Sequence, residues 1–364
     1  MNDIFDYLLW RGDLPLRRAP FNPADGAILA QTAYAPFADL PPEFWQRGGT
    51  LGEACAALLE LPDLPKRTLL RDDPQLIRTL AACPRFAEMP LTDHADLLDE
   101  QSETQFSAST FRLGEGLWYI AFRGTDETVT GWKEDFNMSF TLPVPAQTLA
   151  EQYLRTAADK LPGRFILGGH SKGGNLAVYA AAACPDPVRD RIAKVYNFDG
   201  PGFDIPFLET PGCKALQGRV ETFVPQASVV GLLLGHEEAY TVVKSGSLGP
   251  LQHNLYTWNF APQGFVELET VTPGSRVLDK TLKNWLQSLT LEQRETFVET
   301  MFDVLETGGV QDLRDVAENL PASAKALSAL VRDMDPQTRK VMLDCLKALG
   351  KAARDGIRDT LRER

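Results

Sequence analysis

One window, residues 165–179, limits the possible folds of this chain more than any other. It reads Phe-Ile-Leu-Gly-Gly-His-Ser-Lys-Gly-Gly-Asn-Leu-Ala-Val-Tyr. The apolar start is typical of a buried strand, and the small and apolar residues at its end predict a helix. A sharp turn from a strand into a helix leaves room only for small neighbours, and glycines supply them here. The window therefore predicts a strand–turn–helix unit in an α/β fold.

Ser171 occupies the centre of the Gly-x-Ser-x-Gly turn. The helix that follows directs its amide groups and the positive end of its dipole toward the turn, where they would stabilise an oxyanion. We therefore predict that Ser171 is a nucleophile and that the Lys172 amide is one oxyanion donor. The alternative is a glycine-rich turn that binds phosphate or only joins two elements. His170 is expected to project away from the Ser171 hydroxyl and to have a structural role.

The pattern of strands and helices divides the chain into three parts. Residues 105–272 are predicted to form the catalytic core, an α/β-hydrolase fold with a mainly parallel central sheet. Short helical patterns in residues 1–104 predict a helical N-terminal segment that packs on the core, and a lid over the site is one interpretation of it. Amphipathic stripes in residues 273–364 predict a helical C-terminal extension, which either packs back on the core or joins two copies in a homo-oligomer. The predicted core strands lie at residues 107–113, 117–122, 164–167, 194–198, 219–224, 240–243 and 256–260.

Composition excludes several classes of partner. The 364 residues carry a formal net charge of −12, which disfavours nucleic acid and anionic membrane surfaces. No apolar stretch approaches 18 residues, so no stable membrane insertion is expected. The five cysteines are odd in number and lack metal-ligand spacing, which indicates reduced thiols and a cytoplasmic protein. No metal or organic cofactor is implied.

A serine nucleophile needs a general base, and the chain offers four histidines. The order in hydrolases of this type is serine, then acid, then histidine, which excludes His94. His170 is excluded by its position beside the serine. His253, on a loop after a late predicted strand, is the predicted base. His236, flanked by two carboxylates, is the alternative.

Asp199 is the predicted acid because it directly follows the strand at residues 194–198. Catalytic residues collect at the carboxyl ends of parallel strands. The competing interpretation is an aspartate that only caps the Gly-Pro turn after it, and Glu237 and Asp204 are further candidates for the acid. A second oxyanion donor is predicted at Thr125, where the strand at residues 117–122 ends in Arg-Gly-Thr.

These motifs resemble those of the class 3 lipases over about residues 105–262. The shared features are Phe-Arg-Gly-Thr at residues 122–125, Gly-Trp-x-x-Asp at 131–135, Gly-His-Ser-x-Gly-Gly at 169–174, the segment at 236–246, and His253 with Trp258 close behind. Within that resemblance Arg123 is expected to pair with Asp135.

Two positions depart from the lipase pattern. Class 3 lipases usually place their acid after the strand equivalent to residues 219–224, where this chain has Ser228; Asp199 lies one strand earlier, as in some other lipases. Lys172 replaces an apolar residue beside the serine, where a cation would favour anionic substrates, and a solvated or salt-bridged lysine is the expectation.

Over nearly its whole length the chain also resembles an uncharacterised bacterial family of lipase-like α/β-hydrolases. Members open with Asp-Tyr-Leu-x-Trp-Arg-Gly-Asp, here residues 6–13, and carry Gly-His-Ser-Lys-Gly-Gly-Asn, here 169–175, and a late Gln-His, here 252–253. The resemblance implies a lipase-like serine hydrolase that cleaves an ester or lipid substrate. The alternatives are a weak or inactive hydrolase fold that serves as a binding or scaffold protein, and a thioesterase or peptidase on the same triad.

Overall fold

The structure of the chain is a computed structural model. It describes residues 2–99, 101, 104–125, 134, 137–138, 141–228, 230–232, 234–236, 238–290, 292–294, 296, 336 and 339–340. The chain forms two compact units. The first unit consists of residues 1–97, 106–124 and 146–271, and the second of residues 98–105, 125–145 and 272–364.

Six helices precede the sheet in the sequence. Side-chain caps begin three of them, because Asp3, Asn22 and Thr50 each accept a backbone hydrogen bond in a capping box. The helices are α1 (Ile4–Arg11), α2 (Pro23–Thr32), α3 (Pro42–Arg47), α4 (Leu51–Leu59), α5 (Leu64–Arg67) and α6 (Asp73–Ala81).

The central sheet has eight strands in the order β1-β2-β3-β4-β5-β6-β7-β10. β2 and β3 form an antiparallel hairpin, β3 to β7 are mutually parallel, and β10 returns antiparallel to β7. This mainly parallel sheet confirms the predicted fold class. The strands are β1 (Leu91–Asp99), β2 (Thr104–Gly114), β3 (Leu117–Phe122), β4 (Arg164–His170), β5 (Ile192–Phe198), β6 (Val220–Pro225), β7 (Tyr240–Val243), β8 (Phe260–Ala261), β9 (Gly264–Phe265) and β10 (Glu267–Leu268).

Two sequence predictions need correction. The N-terminal segment ends in a strand, β1, whose polar sequence Leu-Thr-Asp-His-Ala-Asp lacks the apolar pattern of a core strand because β1 lies at an edge of the sheet. The strand predicted at residues 256–260 is instead a 3-10 helix, Leu255–Thr257, followed by the short strand β8, which pairs with β9 outside the main sheet.

The later helices are α7 (Pro145–Lys160), α8 (Lys172–Ala183), α9 (Asp186–Arg189), α10 (Ile205–Leu208), α11 (Pro211–Lys214) and α12 (Pro273–Ser288). Of these, α7 to α11 lie in the sequence between the parallel strands β3 to β6, and α12 follows the sheet. Short 3-10 helices lie at Phe37–Asp39, Val230–Leu232 and Gly249–His253. α12 belongs to the second unit. The later C-terminal stripes, at residues 298–305 and 341–349, lie outside the described residues, and the three-part domain division stays a prediction.

The core of the first unit lies between the sheet and the N-terminal helices. Nine of the ten residues of α2 are buried. α2 passes so close to β5 that a Cβ on Gly26 would lie 2.9 Å from the Tyr196 ring. The Tyr119 hydroxyl on β3 donates to the Gly26 carbonyl at 2.9 Å. Residues 1–97 therefore complete the same hydrophobic core as the sheet.

Candidate active site

Ser171 lies at the turn between β4 and α8, as predicted from the sequence. Its φ of 58° and ψ of −133° fall in a region that side-chain-bearing residues rarely adopt, at a cost of about 1–3 kcal/mol. The turn is fixed by the Ser171 amide, which donates to the Phe198 carbonyl at 3.0 Å. The hydroxyl does not cap α8, so helix capping does not occupy the group that would act as a nucleophile.

Glycines make this turn possible because neighbouring backbone leaves no room for side chains. A Cβ on Gly169 would lie 2.3 Å from the Gly173 carbonyl oxygen, and one on Gly173 would lie 2.1 Å from the Phe122 carbonyl oxygen. A Cβ on Gly124, just after β3, would lie 3.0 Å from Cβ of Ser171. The end of β3 and the turn at Ser171 therefore pack backbone against backbone.

Asp199 and His253 are in direct contact. The Nδ1 atom of His253 lies 2.7 Å from Oδ2 of Asp199, whose side chain is fully buried. Because a carboxylate accepts hydrogen bonds, Nδ1 carries the proton and Nε2 is left as the basic nitrogen. The His253 side chain is 29% exposed. This is the arrangement by which an acid orients the base of a serine hydrolase.

The other carboxylate oxygen of Asp199 has two donors of its own. Oδ1 accepts from the Ser228 hydroxyl at 2.5 Å and from the Gly231 amide at 3.1 Å. Ser228 stands at the position where class 3 lipases usually carry their acid. Sequence reasoning treated Ser228 as a missing acid and did not identify it as a partner of Asp199. Two features of the sequence together indicated this role: no carboxylate follows β6 at the position of Ser228, and an aspartate, Asp199, directly follows β5.

The alternative base and acids have other partners. Nε2 of His236 lies 2.8 Å from the Gly231 carbonyl, and its Nδ1 lies 3.5 Å from Glu238. The Asp204 carboxylate caps α10 by accepting from the Phe207 amide at 3.0 Å. Glu237 lies outside the described residues. His94, excluded by chain order, contacts the Ser109 hydroxyl through Nδ1 at 3.0 Å.

The sequence predicts ionic or solvent contacts for both Lys172 and Arg123. The Lys172 side chain is buried, so of the two expected alternatives, a solvated or a salt-bridged lysine, the solvated one is wrong. The Lys172 amide lies in the first turn of α8. Arg123 forms an ion pair with Asp96 at 3.1 Å, whereas the expected partner, Asp135, lies outside the described residues. Thr125 belongs to the second unit, and its role as an oxyanion donor stays a prediction.

Ser171 and His253 make no mutual hydrogen bond in the described part of the chain. Catalytic hydrogen bonds in enzymes without substrate are often long and shorten only when substrate binds. The structure thus places Asp199 and His253 in contact and sets Ser171 in a strained turn after the neighbouring strand β4. The assignment of these three residues as a triad stays a prediction.

The segment that holds these three residues matches a known protein family. The model of the Mbeg1-like family matches residues 80–303, which is more than half of the chain. The chain belongs to the Mbeg1-like family. The matched segment contains the predicted nucleophile, acid and base. No curated protein matches the chain.

Solved structures similar to this Mbeg1-like chain include several lipases. M37 lipase has 12% identity and a TM-score of 0.37, and the match covers 58% of this chain and 70% of that one. A mutant form of MDLA from Penicillium cyclopium has 14% identity, a TM-score of 0.38 and coverage of 67% and 84%. A triacylglycerol lipase from Penicillium expansum has 12% identity, a TM-score of 0.31 and coverage of 53% and 76%.

Two cavities in the first unit of this Mbeg1-like chain lie away from Ser171, Asp199 and His253. One, of about 510 Å³, is lined by Trp45, His94 and Lys160 among others. The second, of about 310 Å³, lies beside His236 and Phe203. Neither cavity is lined by the predicted triad. Among the described residues, no cluster of three or more His, Cys, Asp or Glu side chains is arranged to hold a metal ion, and no helix is long and apolar enough to cross a membrane.

Proposed function

We propose that this Mbeg1-like protein is a serine hydrolase that cleaves carboxylic esters, of small molecules or of lipids. The observation that carries the proposal is the buried Asp199 carboxylate, which contacts the imidazole of His253 at 2.7 Å. A strained serine at a strand–helix turn supports it. Since chemistry of this kind requires a nucleophile, a base and an orienting acid, the three side chains supply the necessary groups.

The reaction would proceed in two halves. Nε2 of His253 takes the proton from the Ser171 hydroxyl while Oγ attacks the ester carbonyl, and the imidazolium returns the proton to the leaving alcohol. The Lys172 and Thr125 amides would bind the oxyanion. Water then attacks the acyl-enzyme while His253 again acts as the base. This step releases the carboxylic acid product and restores the Ser171 hydroxyl. Asp199 stays ionised and stabilises the imidazolium.

A fluorophosphonate probe tests the proposal. Wild type should label, and Ser171→Ala should not, because the probe reacts with an activated serine. Ser109→Ala is a control, since Ser109 contacts His94 and lies outside the predicted triad. Equal labelling of wild type and Ser171→Ala, or no labelling of folded wild type, would instead support the binding or scaffold alternative.

The chemical class of the substrate can be tested with the same protein. A panel of p-nitrophenyl esters with acyl chains of increasing length should be hydrolysed, with a preference for one range of chain lengths. Parallel assays with acyl thioesters and with peptide amides cover the thioesterase and peptidase alternatives. Faster turnover of either of those than of every ester would replace the esterase proposal.

We also propose a cytoplasmic location and association through the C-terminal helices. The four described cysteines, Cys55, Cys83, Cys184 and Cys213, are free thiols and buried, which is compatible with a reducing compartment. Cell fractionation tests the location. Light scattering of the full chain, compared with a chain that ends before residue 273, tests the association.

A further inference from the structure

The histidine directly before the predicted nucleophile is connected to the predicted base. Nε2 of His170 lies 2.7 Å from the backbone carbonyl oxygen of His253, and the two imidazole rings are 4.5 Å apart, centre to centre. On its other side, Nδ1 of His170 lies 3.3 Å from the hydroxyl of Tyr34, which follows α2. A chain of hydrogen bonds thus runs from Tyr34 through His170 to the backbone of His253.

Each hydrogen bond in this chain has a defined direction. The His253 carbonyl can only accept, so Nε2 of His170 carries a proton and donates it. Burial, with His253 nearby, holds the pKa of His170 well below its usual range, so the ring is neutral. Its Nδ1 is therefore an acceptor, and the Tyr34 hydroxyl donates to it. His253 has the opposite tautomer, with its proton on Nδ1 facing Asp199.

We propose that Tyr34 and His170 are positioning residues, which hold the backbone of the base His253 at a fixed place beside the nucleophile. This inference rests on the proposed function. Because His170 and Ser171 are joined by a peptide bond, a hydrogen bond from His170 to His253 ties the base to the turn that carries the nucleophile. Tyr34 fixes the tautomer that makes this bond possible.

The position of His253 explains why such a connection matters. It ends the 3-10 helix Gly249–His253, whose neighbourhood is exposed to solvent; Leu248 and Leu251 are 83% and 71% exposed. The preceding residue, Gln252, is held by the Ala227 amide and the Ser247 carbonyl. Those bonds fix the 3-10 helix to the loops after β6 and β7, whereas the bond from His170 fixes it to the turn at Ser171.

Tyr34 is held close to the same turn. A Cβ on Gly124 would lie 2.2 Å from the Tyr34 hydroxyl oxygen and 3.0 Å from Cβ of Ser171. The hydroxyl is therefore packed against the backbone beside the nucleophile, and Tyr34 is only 6% exposed. A misplacement of about 1 Å in a catalytic group can lower a rate on the order of 100-fold.

Variants of both residues test the inference on the full-length protein. His170→Leu should lower kcat for a p-nitrophenyl ester by about 100-fold with KM changed less than about twofold, because only alignment is lost. His170→Gln, whose amide can donate to the same carbonyl, should recover a large part of that loss. Tyr34→Phe should lower kcat by about 3- to 10-fold. Tyr153→Phe is the matched control, since Tyr153 is a half-buried tyrosine whose hydroxyl contacts the Thr110 hydroxyl.

Nitrogen-15 NMR of the imidazole rings gives a readout that does not depend on activity. In wild type, His170 should be protonated on Nε2 and His253 on Nδ1, and Tyr34→Phe should shift the His170 tautomer ratio. An Nδ1-protonated His170 in wild type would overturn the inference. So would unchanged kcat in folded His170→Leu.

The two proposals fail in different ways. If wild type does not react with the fluorophosphonate, the proposed hydrolase function fails, and the NMR experiment still reports whether Tyr34 sets the His170 tautomer. If wild type reacts and the His170 and Tyr34 variants react at the same rate, the hydrolase proposal stands and the positioning role is wrong. Should both variants unfold, His170→Gln supplies the rate comparison.

Discussion

Asp199 divides its two carboxylate oxygens between different tasks. Oδ2 accepts a hydrogen bond from Nδ1–H of His253, while Oδ1 accepts hydrogen bonds from the Ser228 hydroxyl and the Gly231 amide. A buried carboxylate is stable only when its oxygens are hydrogen-bonded, so the donors on Oδ1 offset part of the cost of burial. Ser228 thus supports the predicted acid, which directly follows the neighbouring strand β5.

Substitution of the acid and its partner should affect activity unequally. Asp199→Asn should lower kcat by about 10³- to 10⁴-fold, because an amide favours the wrong tautomer of the base. Ser228→Ala should lower kcat/KM by about tenfold, through loss of one hydrogen bond to a charged group. Steady-state ester hydrolysis measures both. Asp204→Asn is the control, and a loss there as large as in Asp199→Asn would contradict the assignment.

At the scale of elements, the strand–turn–helix unit depends on close backbone contacts. The turn at Ser171 brings β4, α8 and the end of β3 together without intervening side chains. The glycines of this unit therefore have a packing role, in addition to the freedom that a sharp turn needs. The same contact sets Gly124 against Ser171, so the geometry of the site is a property of three elements at once.

Added methyl groups distinguish glycines that pack from glycines that do not. Gly169→Ala should destabilise the protein by about 2–4 kcal/mol, because its Cβ would meet the Gly173 backbone at 2.3 Å and neither backbone can move freely. Urea unfolding measures the change. Gly114→Ala is the matched control, since nothing lies within 4 Å of its Cβ. Equal destabilisation of the two variants would contradict the packing argument.

At the scale of the whole molecule, residues 1–97 share one core with the sheet. A fully buried ion pair contributes to their arrangement. Arg85, between α6 and β1, makes two hydrogen bonds to Asp25 on α2, and its remaining donors reach the carbonyls of Leu14, Ala19 and Pro20. The pair joins segments 60 residues apart in the sequence, so it forms only in the assembled fold.

Removal of one member of this pair should be costly. Arg85→Met should lower the free energy of unfolding by about 3–5 kcal/mol, because it leaves the Asp25 carboxylate buried without its cation. Arg47→Met, which breaks an exposed pair with Glu53, should change the free energy of unfolding much less, because solvent screens the attraction between exposed charges. Urea titrations of both variants provide the comparison, and a loss below about 1 kcal/mol in Arg85→Met would refute it.

Low pH should destabilise the fold partly through protonation of His94. Burial, with Arg123 nearby, lowers the pKa of His94 from 6.5 to about 4. Above pH 6.5 His94 is neutral in both states, and between pH 6.5 and about 4 only the unfolded chain takes up the proton. The free energy of unfolding should therefore fall by up to about 3 kcal/mol as pH decreases through this range. In His94→Phe, the free energy of unfolding should no longer show this decrease between pH 6.5 and about 4, and its dependence on pH above 7 should stay as in wild type. Parallel plots of unfolding free energy against pH for the two proteins would contradict the prediction.

The sequence by itself determined the α/β class, most strand positions and the turn at Ser171. Those features depend on local periodicity and on small residues at fixed spacing, which are visible along the chain. It also singled out Asp199 and His253 as a pair, through chain order and elimination. The edge strand β1 escaped it because the apolar pattern of β1 is weak. The 3-10 helix after His253 escaped it because residues 256–260 alternate between apolar and polar side chains as a strand does.

Only the tertiary structure decided which side chains meet. The support of Asp199 by Ser228, the burial of Lys172, and the connection from Tyr34 through His170 to His253 join residues from distant segments. Their contacts depend on how strands and helices pack, and no local pattern encodes that packing. The sequence therefore located the chemical groups, and the packing of α2, β4, β5 and the His253 loop determined how they are held.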